Sequence, residues 1–260
     1  MTETTSPMGA TFAPLREPTY RRMWLAMLVS NLGTFLQMTA APWIMLEMTG
    51  SPLQVSLVTA MLTLPRLLFT LPSGALADAF DRRTLMILGH LLSAAAAGVM
   101  AVMTAAGHLT PNALLILSFV LGSGGTLSMP SFQTLVPDLV SAPLRAQAIT
   151  LNSAAFNLAR ALGPSLGGAL VAVGLASMSF GGNAVSYLVV IGVLLTIPRE
   201  VVEDSGRPAM WRSTALGLRY VRFTRPLRVL ILVTALFVVT GTSLQALLPS
   251  VAADDLGLGA

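Results

Sequence analysis

A short run dense in charge, Gly74-Ala75-Leu76-Ala77-Asp78-Ala79-Phe80-Asp81-Arg82-Arg83, sits between two long apolar stretches of the chain. Carboxylates and guanidiniums this close together form ion pairs, and the arginine fork suits a carboxylate at two points. A second group lies inside the apolar stretch from Ala146 to Val173: Arg160, then Gly163, Pro164, Gly167 and Gly168. Glycines at that spacing strip side chains from one side of a helix, so a neighbour can approach closely. Pro164 removes one backbone hydrogen bond and bends the helix. Arg66, directly after Pro65, is another arginine within an apolar stretch, and Asn31, Thr34, Gln37 and Asn157 are uncharged polar groups in such stretches. Charge inside a bilayer is costly, so such arginines mark a substrate or proton path, or else a structural ion pair or a side chain that snorkels to an interface. The uncharged groups line a cavity or bond helix to helix; for any one of them, bonding between helices is the commoner use.

The rest of the composition decides what must position these groups. The 260 residues are 54% hydrophobic and 10% charged, and the mean hydropathy is +0.77. A soluble domain carries about 25% charged residues, so this chain cannot cover a globule with polar surface and reads as an integral membrane protein. All fifteen basic residues are arginine. They cluster at the ends of apolar segments rather than along one polar face, which argues against nucleic acid as a partner. There is no cysteine, and His90 and His108 form no metal-binding spacing, so no metal and no cofactor is expected. Ser123, Ser128, Ser177 and His90 are the materials for a hydrolase, but no GxSxG accompanies them, and the chain is not expected to be an enzyme. The glycines of 122–125 lack the lysine of a phosphate loop and read as close packing.

Apolar segments long enough to span a bilayer run at about 23–46, 53–76, 84–106, 113–135, 146–173, 178–197 and 227–251. The expected organisation is a polar, disordered tail (1–20), a six-helix bundle (21–197), a polar connection (198–226) and a seventh helix (227–260). Tyr20 and Trp24 read as interfacial aromatics, and Val136 to Arg145 as a polar loop. Loop arginines precede helices 1 and 7 and follow helices 2, 4 and 6; the turns after helices 1, 3 and 5 have none. That alternation predicts a multi-pass protein of the plasma (inner) membrane, its N-terminus and basic loops cytoplasmic.

Gly74-x-Leu76-x-Asp78-x-x-x-Arg82-Arg83 between the second and third spans resembles the loop signature of the major facilitator superfamily. Gly163-Pro164-x-x-Gly167-Gly168 in the fifth span resembles the antiporter signature of its efflux members. The stretches Val29–Thr34, Leu71–Asp78 and Val136–Val140 look like the branch of transmembrane secretion effectors that includes the enterobactin exporter. The resemblance implies an all-α membrane fold, here a six-helix N-terminal bundle plus helix 7 of an expected twelve, with a C-terminal half missing. It implies a secondary active exporter of a small molecule, drug-like compound or siderophore, working by alternating access and coupled to protons. Gly74, Asp78, Asp81, Arg82 and Arg83 would form a cytoplasmic gate. The helix 5 motif is Arg160, Gly163, Pro164, Gly167 and Gly168, and its bend and glycine face would let the helix pack against the opposite half and limit leakage. Asn31, Thr34, Gln37, Arg66 and Asn157 would offer a substrate cavity. Few buried charges favour a neutral or cation-tolerant cargo, while Arg160 suits an anionic one equally. The alternative is a truncated, non-transporting membrane remnant or interaction protein.

Overall fold

In the computed structural model, residues 11–198, 223–230, 232, 233 and 236 are described. They contain six long helices: α1 (Pro18–Thr49), α2 (Pro52–Ala79), α3 (Arg82–Ala105), α4 (Pro111–Asp138), α5 (Arg145–Ala172) and α6 (Ala176–Leu195). Three begin on proline, whose missing N–H costs nothing in a first turn. Thr110 caps α4 through a hydrogen bond from Ala113 N. Gly50 ends α1 in the left-handed conformation, φ 60°, its N–H bonded to Leu46 O at 2.7 Å. Helices α2, α3, α4 and α6 are long and apolar enough to cross a membrane. Helices α1 and α5 match them in length, at 32 and 28 residues, and carry Asn31, Thr34 and Gln37 or Asn152, Asn157 and Arg160. The chain is thus an all-α membrane protein. All but a few residues of the expected 198–226 connection and seventh helix lie outside the described residues.

The helices form two triplets of like construction. They begin at residues 18, 52 and 82, then at 111, 145 and 176, an offset of about 93 residues. Helix α1 packs on α5 and α6, α4 packs on α2 and α3, and α3 packs on α6. Exchanging the triplets leaves that pattern unchanged. Because three helices reverse the chain direction, the second unit is inverted relative to the first. The flanking helices α2 and α5 each have one principal neighbour, α4 and α1 respectively.

Small residues set the seams. A Cβ at Gly89 or Gly124 would run into Ser128 or Ser93 across the α3–α4 seam, and one at Gly122 would meet the Leu62 carbonyl of α2. At Gly33 of α1 it would come within 2.8 Å of Asn183 Oδ1 on α6. Between these seams lie two apolar clusters. One centres on Ala40, Met45, Val58, Met100, Leu114 and Phe180, the other on Tyr20, Met23, Met86, Val136, Ala148 and Val190.

Three boundaries differ from expectation. The charged run is not a loop: α2 continues to Ala79, leaving only Phe80 and Asp81 between helices, because Phe80 N closes on Leu76 O at 2.8 Å and Asp81 starts α3. Helix α4 runs through Pro137 to Asp138, where a polar loop was expected. Proline so close to a helix end forfeits only one hydrogen bond. The expected disordered tail is partly structured, with Ala13–Arg16 forming a 3₁₀ turn and Pro14 buried. Tyr20 is not interfacial either; it is fully buried, donating to Ala148 O at 2.8 Å, with Asn152 Oδ1 at 3.2 Å.

Candidate functional site

The starts of α1, α3 and α5 bring Arg21, Arg22, Arg82, Arg83 and Arg145 to one end of the bundle, beside the last turns of α2, α4 and α6. There the charges are sorted by helix polarity. Asp81 is the N-cap of α3: its Oδ2 accepts from Thr84 N at 3.1 Å and Thr84 Oγ1 at 2.6 Å. A carboxylate at a helix N-terminus is favoured by the aligned backbone dipoles. Arg83 Nη2 donates to the Leu195 carbonyl at 3.0 Å, satisfying a last-turn acceptor of α6 with a cation, again the favoured sign.

Asp138 is placed against that rule, as a carboxylate at the C-terminal end of α4. Its compensation is two cations that are also at the wrong ends of their helices. Arg145 Nη2 lies 2.9 Å from its Oδ1 and Arg82 Nη1 lies 3.3 Å from its Oδ2. The pair of bridges ties the starts of α3 and α5 to the end of α4. The sequence reading had left Asp138 and Arg145 in a loop, so this bridge was missed. Its signal was available: a lone acid within seven residues of an arginine at the basic end. Asp78 is exposed in the last turn of α2. Gly74 has open space around it, with nothing within 4 Å of where a Cβ would stand.

The helix 5 motif divides. Gly163 and Gly167 are buried against α1: a Cβ at Gly163 would collide with Phe35, and one at Gly167 would come within 2.7 Å of the Leu36 carbonyl. Gly163 and Gly167 therefore seat α5 against α1 within its own bundle. Pro164 and Arg160 are exposed, and Gly168 is half-buried.

The five expected cavity residues do not converge. Thr34 and Gln37 belong to a polar network running through the bundle. Thr34 Oγ1 is 3.1 Å from Tyr187 Oη, and Asn183 Nδ2 donates to Gln37 Oε1 at 2.6 Å. Gln37 Nε2 in turn points to Met100 Sδ at 3.1 Å. Gln37 is 2% exposed, so it joins α1 to α3 and α6 rather than facing open space. Polar pairs of this kind hold helices together where apolar burial gives little preference. The Tyr187 ring stacks edge-on to His90, whose Nδ1 is 2.8 Å from Met86 O and 3.2 Å from Ser128 Oγ. Asn183, Tyr187 and the His90–Ser128 pair were not singled out as one network in the sequence. Among the described residues no carboxylate bonds this histidine, and Ser128 Oγ also bonds its own helix at Gly124 O, 3.1 Å away. It is glue, with no activated nucleophile. Asn31 is half-buried on α1, while Arg66 and Asn157 are exposed on α2 and α5.

Comparison with known proteins agrees with this architecture. The family described as transmembrane secretion effector matches residues 9–260. The staphyloferrin A transporter of Staphylococcus aureus is 25% identical over 224 residues, 84% of this chain and 55% of that protein. The multidrug efflux pump Tap of Mycobacterium tuberculosis is 30% identical over 231 residues, 82% of this chain and 54% of the pump. Macrolide efflux protein A of Streptococcus pyogenes is 23% identical, covering 89% of this chain and 58% of that protein. The chain spans about half the length of the curated relatives it matches. These relatives are transporters rather than enzymes, and the family model covers nearly the whole chain. The chain belongs to the transmembrane secretion effector family of the major facilitator superfamily.

Proposed function

We propose that this chain forms one six-helix lobe of a secondary active exporter that works by alternating access against a second lobe and is coupled to protons. Export is the general activity carried in the names of the efflux relatives. The observation that carries the mechanism is the charged end. There Asp138 holds Arg82 and Arg145 together, while Gly74 leaves open space beside the exposed Asp78. In this reading the bridge is the rigid inner part of a gate. The end of α2 is its outer part, which engages the second lobe when the transporter closes on that side. The arginine-rich end is then cytoplasmic, in line with the bias of basic residues toward that side, and the protein sits in the inner membrane.

Small molecules are the cargo in this proposal, and a bilayer and the second lobe are the partners. The polar network around Gln37, Asn183 and Tyr187 keeps the lobe rigid while it rocks. The test is accumulation of fluorescent substrates in cells expressing the protein, compared with the Asp78→Asn variant. Export by the parent and its loss in the variant, at equal membrane abundance, supports the gate. Undiminished export by Asp78→Asn removes Asp78 from it.

A further inference from the structure

We propose that His90 is the residue on which this lobe binds the coupled proton, reached from the arginine-rich end along the α3–α4 seam; the inference deepens the exporter reading and rests on it for the transport arm alone. His90 is 6% exposed and stands eight residues after the first of α3. That is ~12 Å along a helix of ~36 Å, so the ring lies at hydrocarbon depth rather than at an interface. Its neighbours fix its tautomer. A carbonyl oxygen only accepts, so the 2.8 Å contact with Met86 O places a hydrogen on Nδ1. Ser128 Oγ donates to Gly124 O at 3.1 Å and turns a lone pair to the same nitrogen, 3.2 Å away. The neutral ring therefore carries its basic lone pair on Nε2, which makes no hydrogen bond among the described residues. A proton taken up there forms the imidazolium and breaks none of these bonds; the charge strengthens the two that Nδ1–H makes.

The proton resides on His90 instead of moving on. The ring meets that of Tyr187 at 5.7 Å and 76°, edge to face. The Tyr187 hydroxyl is already engaged. Thr34 Oγ1 donates to Ser30 O at 2.9 Å, so Tyr187 Oη donates to Thr34 at 3.1 Å, and it accepts from Asn183 Nδ2 at 3.4 Å. A charge on His90 acts at close range on the Tyr187 ring, and through it on the bonds that join α6 to α1. Among the described residues, the elements packed on α3 bring no other titratable group to that point. Helix α4 contributes Gly124 and Ser128, with Asp138 ten residues further on, and α6 contributes Tyr187 and carries no charge. Helix α2 touches α3 little, and its Arg66 and Asp78 are exposed. On α3 itself Arg82 and Arg83 lie two turns away.

A way in from the charged end is marked on α4. Ser131 is fully buried, and its Oγ has no partner among the described residues. It lies three residues beyond Ser128 toward Asp138, on the same helical face. Buried hydroxyls nearly always bond the protein or an ordered water, so an orphan one turn from the His90–Ser128 pair suits a water that carries protons. Ser131 stands seven residues before Asp138, ~10 Å, and the half-exposed bridge of Asp138 with Arg82 and Arg145 gives the entrance. Asp138, Ser131, Ser128 and His90 thus step inward along the seam where Gly89 and Gly124 let α3 and α4 touch.

The experiment uses the purified chain in nanodiscs with isotope-labelled histidine read by NMR. The chain has two histidines, and His108→Gln in the exposed turn after α3 leaves the signal of His90 alone. Expected are the Nδ1-protonated neutral ring at about pH 8 and, reversibly and with helix content kept, the imidazolium at about pH 5. A neutral ring that persists throughout, an Nε2-protonated tautomer, or protonation only together with loss of helix overturns the site. Everted membrane vesicles with ethidium as probe supply the transport arm. Accumulation driven by a proton gradient should be lost in His90→Gln at equal abundance, while downhill exchange without a gradient continues. Ser131→Ala, which removes a hydroxyl that bonds nothing, should reduce gradient-driven accumulation at an unchanged unfolding midpoint. Loss of both fluxes in His90→Gln makes the residue structural and overturns its coupling role. Gradient-driven accumulation at the parent level in His90→Gln keeps the exporter and overturns the proton site, and the parent level in Ser131→Ala overturns the α3–α4 route. A titrating His90 in a parent that moves no ethidium leaves the proton site standing and removes the exporter reading.

Discussion

The two glycine-bearing motifs of this chain stand in opposite surroundings. Gly163 and Gly167 on α5 press against the backbone and side chains of α1, where a single added carbon has no room. Gly74 on α2 has nothing within 4 Å of its missing side chain. One motif is explained by the packing of the lobe that contains it; the other is not. A glycine that its own fold does not need is the better pointer to a surface that meets something else. The same division runs through the arginines. Arg83 and Arg145 bond Leu195 O and Asp138, while Arg66 and Arg160 are exposed near the middles of their helices.

The largest effect should come from filling the tight side of this comparison. Gly163→Leu drives a branched side chain into Phe35, so α5 must lift from α1, its one principal neighbour. Overpacking of this kind costs ~1–3 kcal/mol or more, and because α5 has little else to hold it the high end is expected. Thermal unfolding of the purified protein should show a clearly lowered midpoint, with Gly167→Ala intermediate. A midpoint like the parent's would mean that the α1–α5 seam is looser than its geometry.

Next comes the network that replaces apolar driving force in the middle of the bundle. Asn183→Leu conserves volume but leaves Gln37 Oε1 without its 2.6 Å donor and Ser186 Oγ without one of its acceptors. Hydrogen bonds between membrane helices are worth ~0.6 kcal/mol on average and up to about 2. Asn183 joins α6 to α1 and lies among fully buried groups, so a loss of ~1–2 kcal/mol is expected in the same unfolding assay. Smaller still is the charged end. Asp138→Asn removes the Asp138 bridges to Arg82 and Arg145, whose side chains are 34% and 51% exposed, so solvent screening holds the loss below ~1 kcal/mol. The loss should shrink further in high salt, unlike that of Asn183→Leu. Equal salt sensitivity in the two would contradict this assignment.

How much of this was legible in the sequence follows from what each signal measures. Hydropathy is local, so the six helices fell within a few residues of their places. The mid-helix arginines announced themselves by the same means. Which neighbour a helix face meets is not local. Asn31, Thr34 and Gln37 share a stripe in the sequence, yet Thr34 and Gln37 turned out to bond Tyr187 and Asn183, residues about 150 positions away. The Asp138 bridge was hidden because Val136 to Arg145 reads as a polar loop, although a last-turn proline such as Pro137 forfeits only one bond. The inverted repeat escaped because its two units share helix lengths and spacing rather than residues. It shows in the recurrence of helix starts and in which helix packs on which.

Gly74 supplies the smallest effect on stability and the sharpest use of the comparison. It lies inside α2, where glycine is the poorer helix former, so Gly74→Ala should raise stability by a few tenths to ~1 kcal/mol. Nothing in the lobe opposes the methyl group. If the end of α2 closes against a second lobe, that same methyl stands in the contact, and export should fall although the protein is more stable. A bulkier Gly74→Leu should deepen the export defect without lowering the unfolding midpoint. The opposite signs matter, since substitution of a merely structural glycine would lower both quantities together, and that of an idle one would raise stability and leave export unchanged. Unaltered export in Gly74→Leu, with stability raised, would leave the motif glycine without a role in the gate. Reduced export with stability raised would separate it from Gly163 as a residue kept for motion rather than for folding.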